Sequence, residues 1–192
     1  NNNVIIKNNV VIGPNVQIGE NSLIESGSVI SNSSIGNSCV IQSGCVIGDS
    51  GFGFTINDNI SIVHIGNVII GNNVNIGSST TIDRASLDST IIGNNVRIDN
   101  LVQIAHSVSI GDNSIIAAQV GIAGSSRIGK NCLIGGQAGI AGHLTIGNNV
   151  TIAGKSGVTK NIKDNETIAG FPAININKWK KNIIKQYKKN DN

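Results

Sequence analysis

A hydrophobic position recurs every six residues along much of this chain, and a β-branched aliphatic residue fills it. The period is unbroken over twelve positions, from Ile92 to Val158. A smaller or apolar residue often follows four places later, as at Val96, Val102 and Ser114. A strict six-residue period is typical of a solenoid in which each hexad gives one short strand and one corner. The pattern predicts an all-β, left-handed parallel β-helix with three hexads in each triangular coil.

The same period occurs earlier in the chain, but two segments interrupt it. It is present from Ile12 to Ile24, then one residue out of phase from Ile35 to Ile47, and it resumes from Ile70 to Ile82. The interruptions are residues 48–64 and 83–91. Insertions in a solenoid lie outside the coil, where they can reach a ligand or a neighbouring chain. We therefore expect two loops there and look for chemistry in them first.

The pattern changes near residue 160. From Ile174 to Tyr187, apolar residues recur at intervals of three and four, which indicates an amphipathic α-helix. We therefore expect a β-helical domain over residues 1–160 and a basic C-terminal segment, with an α-helix, over residues 161–192.

Composition narrows the class of protein. Only 3% of the residues are aromatic, so the core has to be thin and aliphatic. No stretch approaches the roughly 20 apolar residues that a membrane span needs, and no signal peptide opens the chain, so a soluble protein is expected.

Cys39, Cys45 and Cys132 each follow an inward Ile by four places, which favours small interior residues in a reducing compartment, the cytoplasm. The chain contains no Met, which favours a fragment or a processed form.

Positive charge is concentrated at the C-terminal end. Residues 155–192 hold nine Lys and three acidic residues, a net of +6, so the formal charge of +3 leaves −3 for residues 1–154. This distribution predicts either an acidic partner or simply a solvated helix face. Nucleic acid is not favoured, because the Lys residues are not interleaved with stacking aromatics.

His106 and His143 are the best candidates for acid–base chemistry near neutral pH. They lie in hexads that begin at Ile104 and Ile140, two whole coils apart, so both should lie on one edge of the prism, about 10 Å apart along its axis. Asp99, Asn100 and Gln103 precede His106 on adjoining hexads, and we expect this carboxylate and these amides to surround the imidazole. Nearby glycines, from Gly121 to Gly142, leave a bare groove that suits a long acyl chain.

Several segments together resemble one enzyme family over nearly the whole chain. They are Gly51-Phe52-Gly53-Phe54, Thr80-Thr81-Ile82-Asp83-Arg84, the run from Ile98 to His106, Gly121-Ile122-Ala123-Gly124 and Gly142-His143-Leu144. They look like the UDP-3-O-(3-hydroxyacyl)glucosamine N-acyltransferases of lipid A biosynthesis. The Asp-Asn-x-x-Gln-x-Ala-His segment is the specific part, since many acyltransferases share hexapeptide repeats.

The resemblance implies an enzyme that moves a 3-hydroxyacyl group from acyl carrier protein to the 2-amino group of a UDP-3-O-acylglucosamine. It implies His106 as the general base and His143 as a second active-site residue. Asp99 and Gln103 match polar residues that orient the base and bind substrate. The backbone N–H of Gly124 matches a position that could stabilise the oxyanion of the tetrahedral intermediate.

The resemblance also implies binding residues and partners. Asn100, Phe52 and Phe54 are candidate substrate contacts, as is His64 in the looser segment that follows Phe54. A homotrimer is implied, with sites between adjacent helices, with no metal and with no cofactor beyond the phosphopantetheine of the carrier. Acyl carrier proteins are acidic, so Lys155 and Lys160, directly after the last coils, are candidate docking residues. The family's N-terminal uridine-binding domain has no counterpart before Ile12, and we interpret this as trimming.

Three alternatives stay open. The nearest is the related O-acyltransferase that acts on UDP-N-acetylglucosamine. A zinc lyase of the γ-carbonic anhydrase type would need a close His pair, whereas the three His residues are 42 and 37 positions apart. A non-enzymatic β-helix, such as an ice-binding protein, would show a ladder of Thr at one hexad position, but Thr is scattered here.

Overall fold

The chain forms three parallel β-sheets that wind together into one β-helix. The computed structural model describes residues 2–55, 57–58, 60–170, 181–182 and 184. Each coil contributes one short strand to each sheet, and each strand pairs with the strands one coil before and one coil after it. The predicted all-β parallel β-helix is confirmed.

The strands are numbered β1 to β24 in chain order. Sheet A holds nine strands: β1 (Ile5–Ile6), β4 (Leu23–Ile24), β7 (Val40–Ile41), β10 (Asn75–Ile76), β13 (Arg97–Ile98), β16 (Ile115–Ile116), β19 (Leu133–Ile134), β22 (Thr151–Ile152) and β24 (Thr167–Ile168). Sheet B holds eight: β2 (Val11–Ile12), β5 (Val29–Ile30), β8 (Val46–Asp49), β11 (Thr81–Asp83), β14 (Gln103–Ile104), β17 (Gly121–Ile122), β20 (Gly139–Ile140) and β23 (Gly157–Val158). Sheet C holds seven: β3 (Gln17–Ile18), β6 (Ser33–Ile35), β9 (Asn67–Ile70), β12 (Ser89–Ile92), β15 (Ser109–Ile110), β18 (Arg127–Ile128) and β21 (Thr145–Ile146).

The six-residue hydrophobic period forms the core. The register places each inward Ile directly over the inward Ile of the next coil, as for Ile98, Ile116 and Ile134. These three side chains are no more than 3% exposed. Burial of one such side chain contributes about 1.5–3 kcal/mol, so a continuous stack of them supplies the main stabilising term.

The corner between sheets C and A, called the asparagine corner below, is held by a ladder of side-chain amides. Its members occupy the left-handed backbone conformation, with φ between 55° and 62°: Asn73, Asn95, Asn113, Asn131, Asn149 and Asn165. Each of the first five donates a hydrogen bond from its Nδ2 to the Oδ1 of the next, over 2.9 to 3.2 Å. Asn tolerates this conformation better than most residues, and the ladder satisfies the amides of neighbouring coils.

Both interruptions of the hexad pattern lie at a different corner, the one between sheets B and C. Residues 50–66 connect β8 to β9, and residues 84–88 connect β11 to β12. The two loops are hydrogen-bonded together: the N–H groups of Ile65 and Gly66 donate to the carbonyls of Ser86 and Ala85, both at 3.0 Å. Two segments about 20 residues apart therefore form one layer over a single corner.

The structure corrects the predicted end of the β-helix. β24 pairs with β22 in sheet A, and Ile162 makes a parallel bridge to Ile146, so coiled structure continues to Ile168 rather than ending at residue 160. Residues 181, 182 and 184 are helical, and the rest of the expected C-terminal helix lies outside the described residues. Within the described part of the chain, no helix is long and apolar enough to cross a membrane.

The three cysteines lie inside the coil. Cys39, Cys45 and Cys132 are fully buried and unpaired, and each S–H donates to the carbonyl of a corner glycine at 3.1 Å. Burial raises the pKa of all three thiols. They are therefore interior packing residues rather than reactive groups.

Candidate active site

His106 and His143 project from the corner between sheets B and C, called the histidine corner below. His106 follows β14 and His143 follows β20, and β14, β17 and β20 are consecutive strands of sheet B. The two residues are thus two coils apart on one edge, as their spacing predicts. The N–H of His143 donates to the carbonyl of Gly124 at 3.0 Å, and the carbonyl of His106 accepts from the N–H of Ser125 at 3.0 Å. Hydrogen bonds between successive coils at the corner therefore fix the backbone of both residues.

Gly124 makes room for the His106 ring. A Cβ at position 124 would lie 2.6 Å from Nε2 of His106, closer than atoms in contact can approach. Nε2 consequently faces the bare backbone of the next coil, whereas Nδ1 is buried with no hydrogen-bond partner among the described residues. Nε2 of His106 therefore faces a glycine-lined surface, whereas Nδ1 faces the interior of the corner.

The loop that follows β8 passes over this corner through two glycines. A Cβ on Gly51 would lie 3.1 Å from Cβ of His106 and 3.2 Å from Oδ2 of Asp83. A Cβ on Gly53 would lie 3.1 Å from Cε1 of His64. The two glycines of the Gly-Phe-Gly-Phe segment thus pack closely where the chain crosses the imidazoles and the carboxylate. Its Phe side chains point away, and Phe52 is 85% exposed.

His64 lies beneath this loop, against His106. Its side chain is only 1% exposed, and its ring centroid is 5.1 Å from that of His106, with 64° between the ring planes. Neither ring nitrogen of His64 has a hydrogen-bond partner within the described part of the chain. The two histidines, 42 positions apart in sequence, therefore form an edge-on pair.

The surroundings of His106 disfavour its protonation. Burial lowers the pKa of His106, and the positive charges that His64 and His143 can carry lower it further. A lowered pKa means that more of the ring is neutral near pH 7, and the neutral imidazole is the form that can accept a proton.

Asp83 supplies the carboxylate at this corner. It is the last residue of β11, one coil before His106, and its Oδ2 accepts a hydrogen bond from Nε2 of Gln103 at 3.0 Å. The Thr81 hydroxyl donates to the amide oxygen of Gln103, which fixes the orientation of that amide. Burial raises the pKa of Asp83, and the negative charge of Asp49 adds to this, while the Gln103 hydrogen bond and His64 oppose it.

The expectation that Asp99 and Asn100 surround His106 is wrong within one chain. Both residues follow β13 at the corner between sheets A and B, one strand away from the histidine corner. Oδ1 of Asp99 accepts from the N–H of Asn100 at 2.8 Å, and Oδ1 of Asn100 accepts from the N–H of Ser78 at 2.7 Å. A six-residue advance moves the chain to the next edge of the prism, so nearness in sequence does not give nearness in space. Of the three predicted neighbours, only Gln103 lies on a strand of sheet B, and its partner is Asp83.

Lys155 and Lys160, the two residues expected to dock the carrier, lie at different corners of the coil. Lys160 follows β23 of sheet B and lies in the line of His106, Gly124 and Gly142 along the histidine corner. Lys155 follows β22 at the corner between sheets A and B, and its N–H donates to the carbonyl of Gly136 at 2.9 Å. Both side chains are exposed.

Two grooves of different chemistry flank the histidine corner. On the sheet C side, a groove of about 640 Å³ includes His106, Arg127 and several serines: Ser86, Ser89, Ser107, Ser109 and Ser125. On the sheet B side, a groove of about 440 Å³ runs along Ala105, Gly121, Ala123, Gly139 and Ala141, with Gln103 at its edge. The corner therefore separates a hydroxyl-rich surface from an apolar one.

The sequence of this chain matches a known protein family. The profile described as bacterial transferase hexapeptide (six repeats) matches residues 1–32, 89–124 and 125–160. The chain belongs to this family. A second profile, the hexapeptide repeat of succinyl-transferase, matches residues 67–104.

Curated relatives within this hexapeptide family carry a specific name. The chain is 52% identical over 139 residues to UDP-3-O-acylglucosamine N-acyltransferase 2 of Legionella pneumophila, covering 71% of this chain and 40% of that protein. It is 52% identical over 150 residues to UDP-3-O-acylglucosamine N-acyltransferase of Rickettsia typhi, covering 76% of this chain and 43% of that protein. The expected resemblance is confirmed, and the chain spans about two fifths of the length of these relatives.

Solved structures of hexapeptide acyltransferases share the fold. UDP-N-acetylglucosamine acyltransferase from Campylobacter jejuni superposes with a TM-score of 0.70 at 26% identity, covering 83% of this chain and 66% of that one. UDP-N-acetylglucosamine O-acyltransferase from Moraxella catarrhalis superposes with a TM-score of 0.67 at 25% identity, covering 93% and 76%.

Sequence reasoning missed Asp83 and the contact between His64 and His106. Asp83 follows the inward Ile82 just as Ala105 follows the inward Ile104, and these two Ile residues pair. The insertion lengthens the coil between them to 22 residues, so a search at the usual spacing of eighteen residues does not align Asp83 with Ala105. One sequence signal does indicate Asp83: it directly follows an inward Ile at the position where the hexad period is interrupted. No local signal predicts the contact between His64 and His106, because it depends on how the loop folds back.

Proposed function

We propose that this chain is the acyl-transferring part of an N-acyltransferase. The enzyme moves a 3-hydroxyacyl group from acyl carrier protein to the 2-amino group of UDP-3-O-(3-hydroxyacyl)glucosamine, and His106 is its general base. The name of the relatives at about 50% identity supports the substrate. The geometry of His106 supports its role as the base, because its Nε2 faces the glycine surface. Burial and the neighbouring histidines also lower the pKa of His106, which favours the neutral ring.

The chemistry requires one proton to move from the amine to the leaving thiol. The amine nitrogen attacks the carbonyl carbon of the thioester, a C–N bond forms, and Nε2 of His106 accepts the proton that the nitrogen loses. The tetrahedral intermediate then expels the pantetheine sulfur as the C–S bond breaks, and His106 returns the proton to that sulfur. The backbone N–H of Gly124 is proposed to stabilise the oxyanion, and His143 is proposed to contact substrate further along the corner.

The two grooves suit the two ends of the proposed substrate. The hydroxyl-rich groove, which Arg127 and Asp88 also line, offers hydroxyl donors and a cation to the sugar diphosphate. The alanine and glycine groove along sheet B suits an acyl chain. Phe52 and Phe54, exposed on the loop above, are candidate contacts for either part. Asp99 and Asn100, at the adjacent corner, could contribute to this site only across a subunit boundary, which fits the proposed homotrimer.

The carrier is proposed to dock at the C-terminal end of the coil. Lys160 continues the histidine corner beyond His143 and gives an acidic carrier a positive contact near the pantetheine entrance. Lys155 would contact the carrier from the neighbouring corner. Dependence on acyl carrier protein also implies a cytoplasmic enzyme with no further cofactor.

The test of this function is His106→Ala in the full-length protein, assayed with 3-hydroxyacyl carrier protein and UDP-3-O-acylglucosamine. Loss of the general base is expected to lower kcat about 10²–10⁴-fold. Thr151→Ala, at an outward position of sheet A, serves as the matched control and should keep both activity and melting temperature. Near-normal turnover by the His106 variant would refute its role.

The choice of acceptor separates two related functions. The solved neighbours named as acting on UDP-N-acetylglucosamine make O-acylation of that sugar the second candidate. We expect transfer to the amine of UDP-3-O-acylglucosamine and at most trace transfer to UDP-N-acetylglucosamine. The reverse preference would replace the N-acyltransferase assignment with the O-acyltransferase one.

A further inference from the structure

His64 is a buried polar side chain that the proposed chemistry does not use. It is 1% exposed, and both of its ring nitrogens lack a hydrogen-bond partner within the described residues. Burying an imidazole without hydrogen bonds is unfavourable, so such a group in a folded protein calls for an explanation. Its segment could have buried an apolar residue instead at less cost.

His64 packs against the ring of His106. Its ring lies edge-on to the His106 ring, with 5.1 Å between centroids, and Nδ1 of His106 is also buried and unpartnered in the described structure. Gly53 crosses directly above His64, and the two corner loops are hydrogen-bonded to each other. His64 therefore limits the positions that the His106 ring can adopt.

Charge at this corner makes the pair sensitive to protonation. Two imidazolium ions at this distance repel each other strongly in a buried setting, so the second proton binds less readily than the first. The other ionisable groups around the pair come from several elements: Asp49, Asp83, Asp88, Arg84, Arg127 and His143. The positive charge that His64 can carry lowers the pKa of His106, in addition to the larger effect of burial, and it also opposes the rise in the pKa of Asp83.

We infer that His64 is a positioning residue for His106, which holds the base ring in its orientation and opposes its protonation. The inference rests on the proposed function of His106 for its catalytic consequence, but the coupling between the rings can be measured without activity. With the ring held in this orientation, Nε2 of His106 faces the glycine surface, where it can accept the proton of the amine.

The experiment is a histidine titration followed by NMR of the ring Cε1–H signals in the full-length protein. Wild type is compared with His64→Phe, which keeps a buried ring but cannot ionise, and with His64→Gln. In the wild type, the pKa of His106 is expected to lie below its ordinary value. In both variants its midpoint should move to higher pH. Val63→Ala, in the same loop, should leave the midpoint where it is.

The pH dependence of kcat gives the second readout. His106 must be neutral to act, so the acid limb of the profile should move to higher pH in the His64 variants, with kcat lowered about tenfold and KM for the acceptor changed less than twofold. An unchanged His106 midpoint in both variants would overturn the inference. Full activity of His106→Ala would overturn the proposed function instead and leave the titration result intact.

Discussion

The asparagine corner and the histidine corner are made by the same hexad repeat, yet they differ in how their polar groups are satisfied. At the asparagine corner, every ladder amide from Asn73 to Asn165 is hydrogen-bonded to a neighbouring coil. At the histidine corner, three ring nitrogens of His64 and His106 are buried without a partner among the described residues. Satisfied polar groups stabilise a fold, whereas unsatisfied ones cost stability and are kept where chemistry needs them. The coil therefore places its satisfied amides and its unsatisfied imidazoles on different edges.

The comparison is tested most strongly by adding one methyl group at the histidine corner. Gly124→Ala would place a Cβ 2.6 Å from Nε2 of His106 and displace the ring from its position. We expect acyl transfer to fall about 10²-fold, because a misplacement of about 1 Å has an effect of that size. The melting temperature should change little, since a side chain moves rather than backbone.

Gly142→Ala is the matched control for this prediction. It lies at the same corner one coil later, where a Cβ would come no closer than 3.2 Å to the carbonyl of Gly124. Steady-state kinetics should show near-normal turnover. Equal losses in both variants would mean that the whole corner is sensitive to bulk and that the His106 position is not special.

The same substitution at the asparagine corner should affect stability instead. A Cβ on Gly111 would lie 2.7 Å from the backbone of Gly129 and Lys130, which cannot move without shifting a coil. We expect Gly111→Ala to lower the free energy of unfolding by about 1–3 kcal/mol, a typical cost of overpacking. Urea denaturation measures this.

Gly157→Ala provides the comparison for Gly111, because a Cβ there meets nothing within 4 Å. Its unfolding free energy should stay within about 0.5 kcal/mol of wild type. If the two variants unfolded at the same urea concentration, the close backbone packing of the asparagine corner would not limit stability.

The smallest expected effect comes from breaking the amide ladder itself. Asn113 accepts from Asn95 at 3.0 Å and donates to Asn131 at 3.2 Å, and its φ is 60°. Asn113→Ala loses both bonds and places a Cβ-bearing residue without an amide in the left-handed region, so we expect a loss of about 1 kcal/mol.

Asn113→Gly separates the two contributions, because Gly adopts this backbone without strain. Thermal unfolding of the Gly variant should show a smaller loss than the Ala variant, and acyl transfer should be unchanged in both. A fall in activity would contradict the separation of roles between the two corners.

The sequence was informative about the coil because the determinants of the coil are local and periodic. One inward Ile in every hexad, with a small residue four places later, predicts strand length, corner position and the parallel pairing of Ile98 with Ile116. The same period predicts that His106 and His143 share an edge. Prediction was wrong at the end of the coil, where β24 follows a less regular segment, and it was wrong about Asp99, because the polar neighbours of His106 were assumed from sequence proximity rather than from the turn of the prism.

The candidate site depends on tertiary structure because it is assembled from segments that the hexad period does not relate. His64 packs on His106 from the first interruption of the repeat, and Asp83, which binds Gln103, lies where the second begins. No periodic rule gives the path of an insertion. Whether His64 is buried depends on hydrogen bonds between the two loops and on two glycines that let the chain cross the corner. The sequence by itself determined the solenoid and the edge that carries the histidines, since each hexad repeats the same local packing. Only the folded chain determined which groups surround His106, because burial and charge at that point come from residues far apart in the sequence.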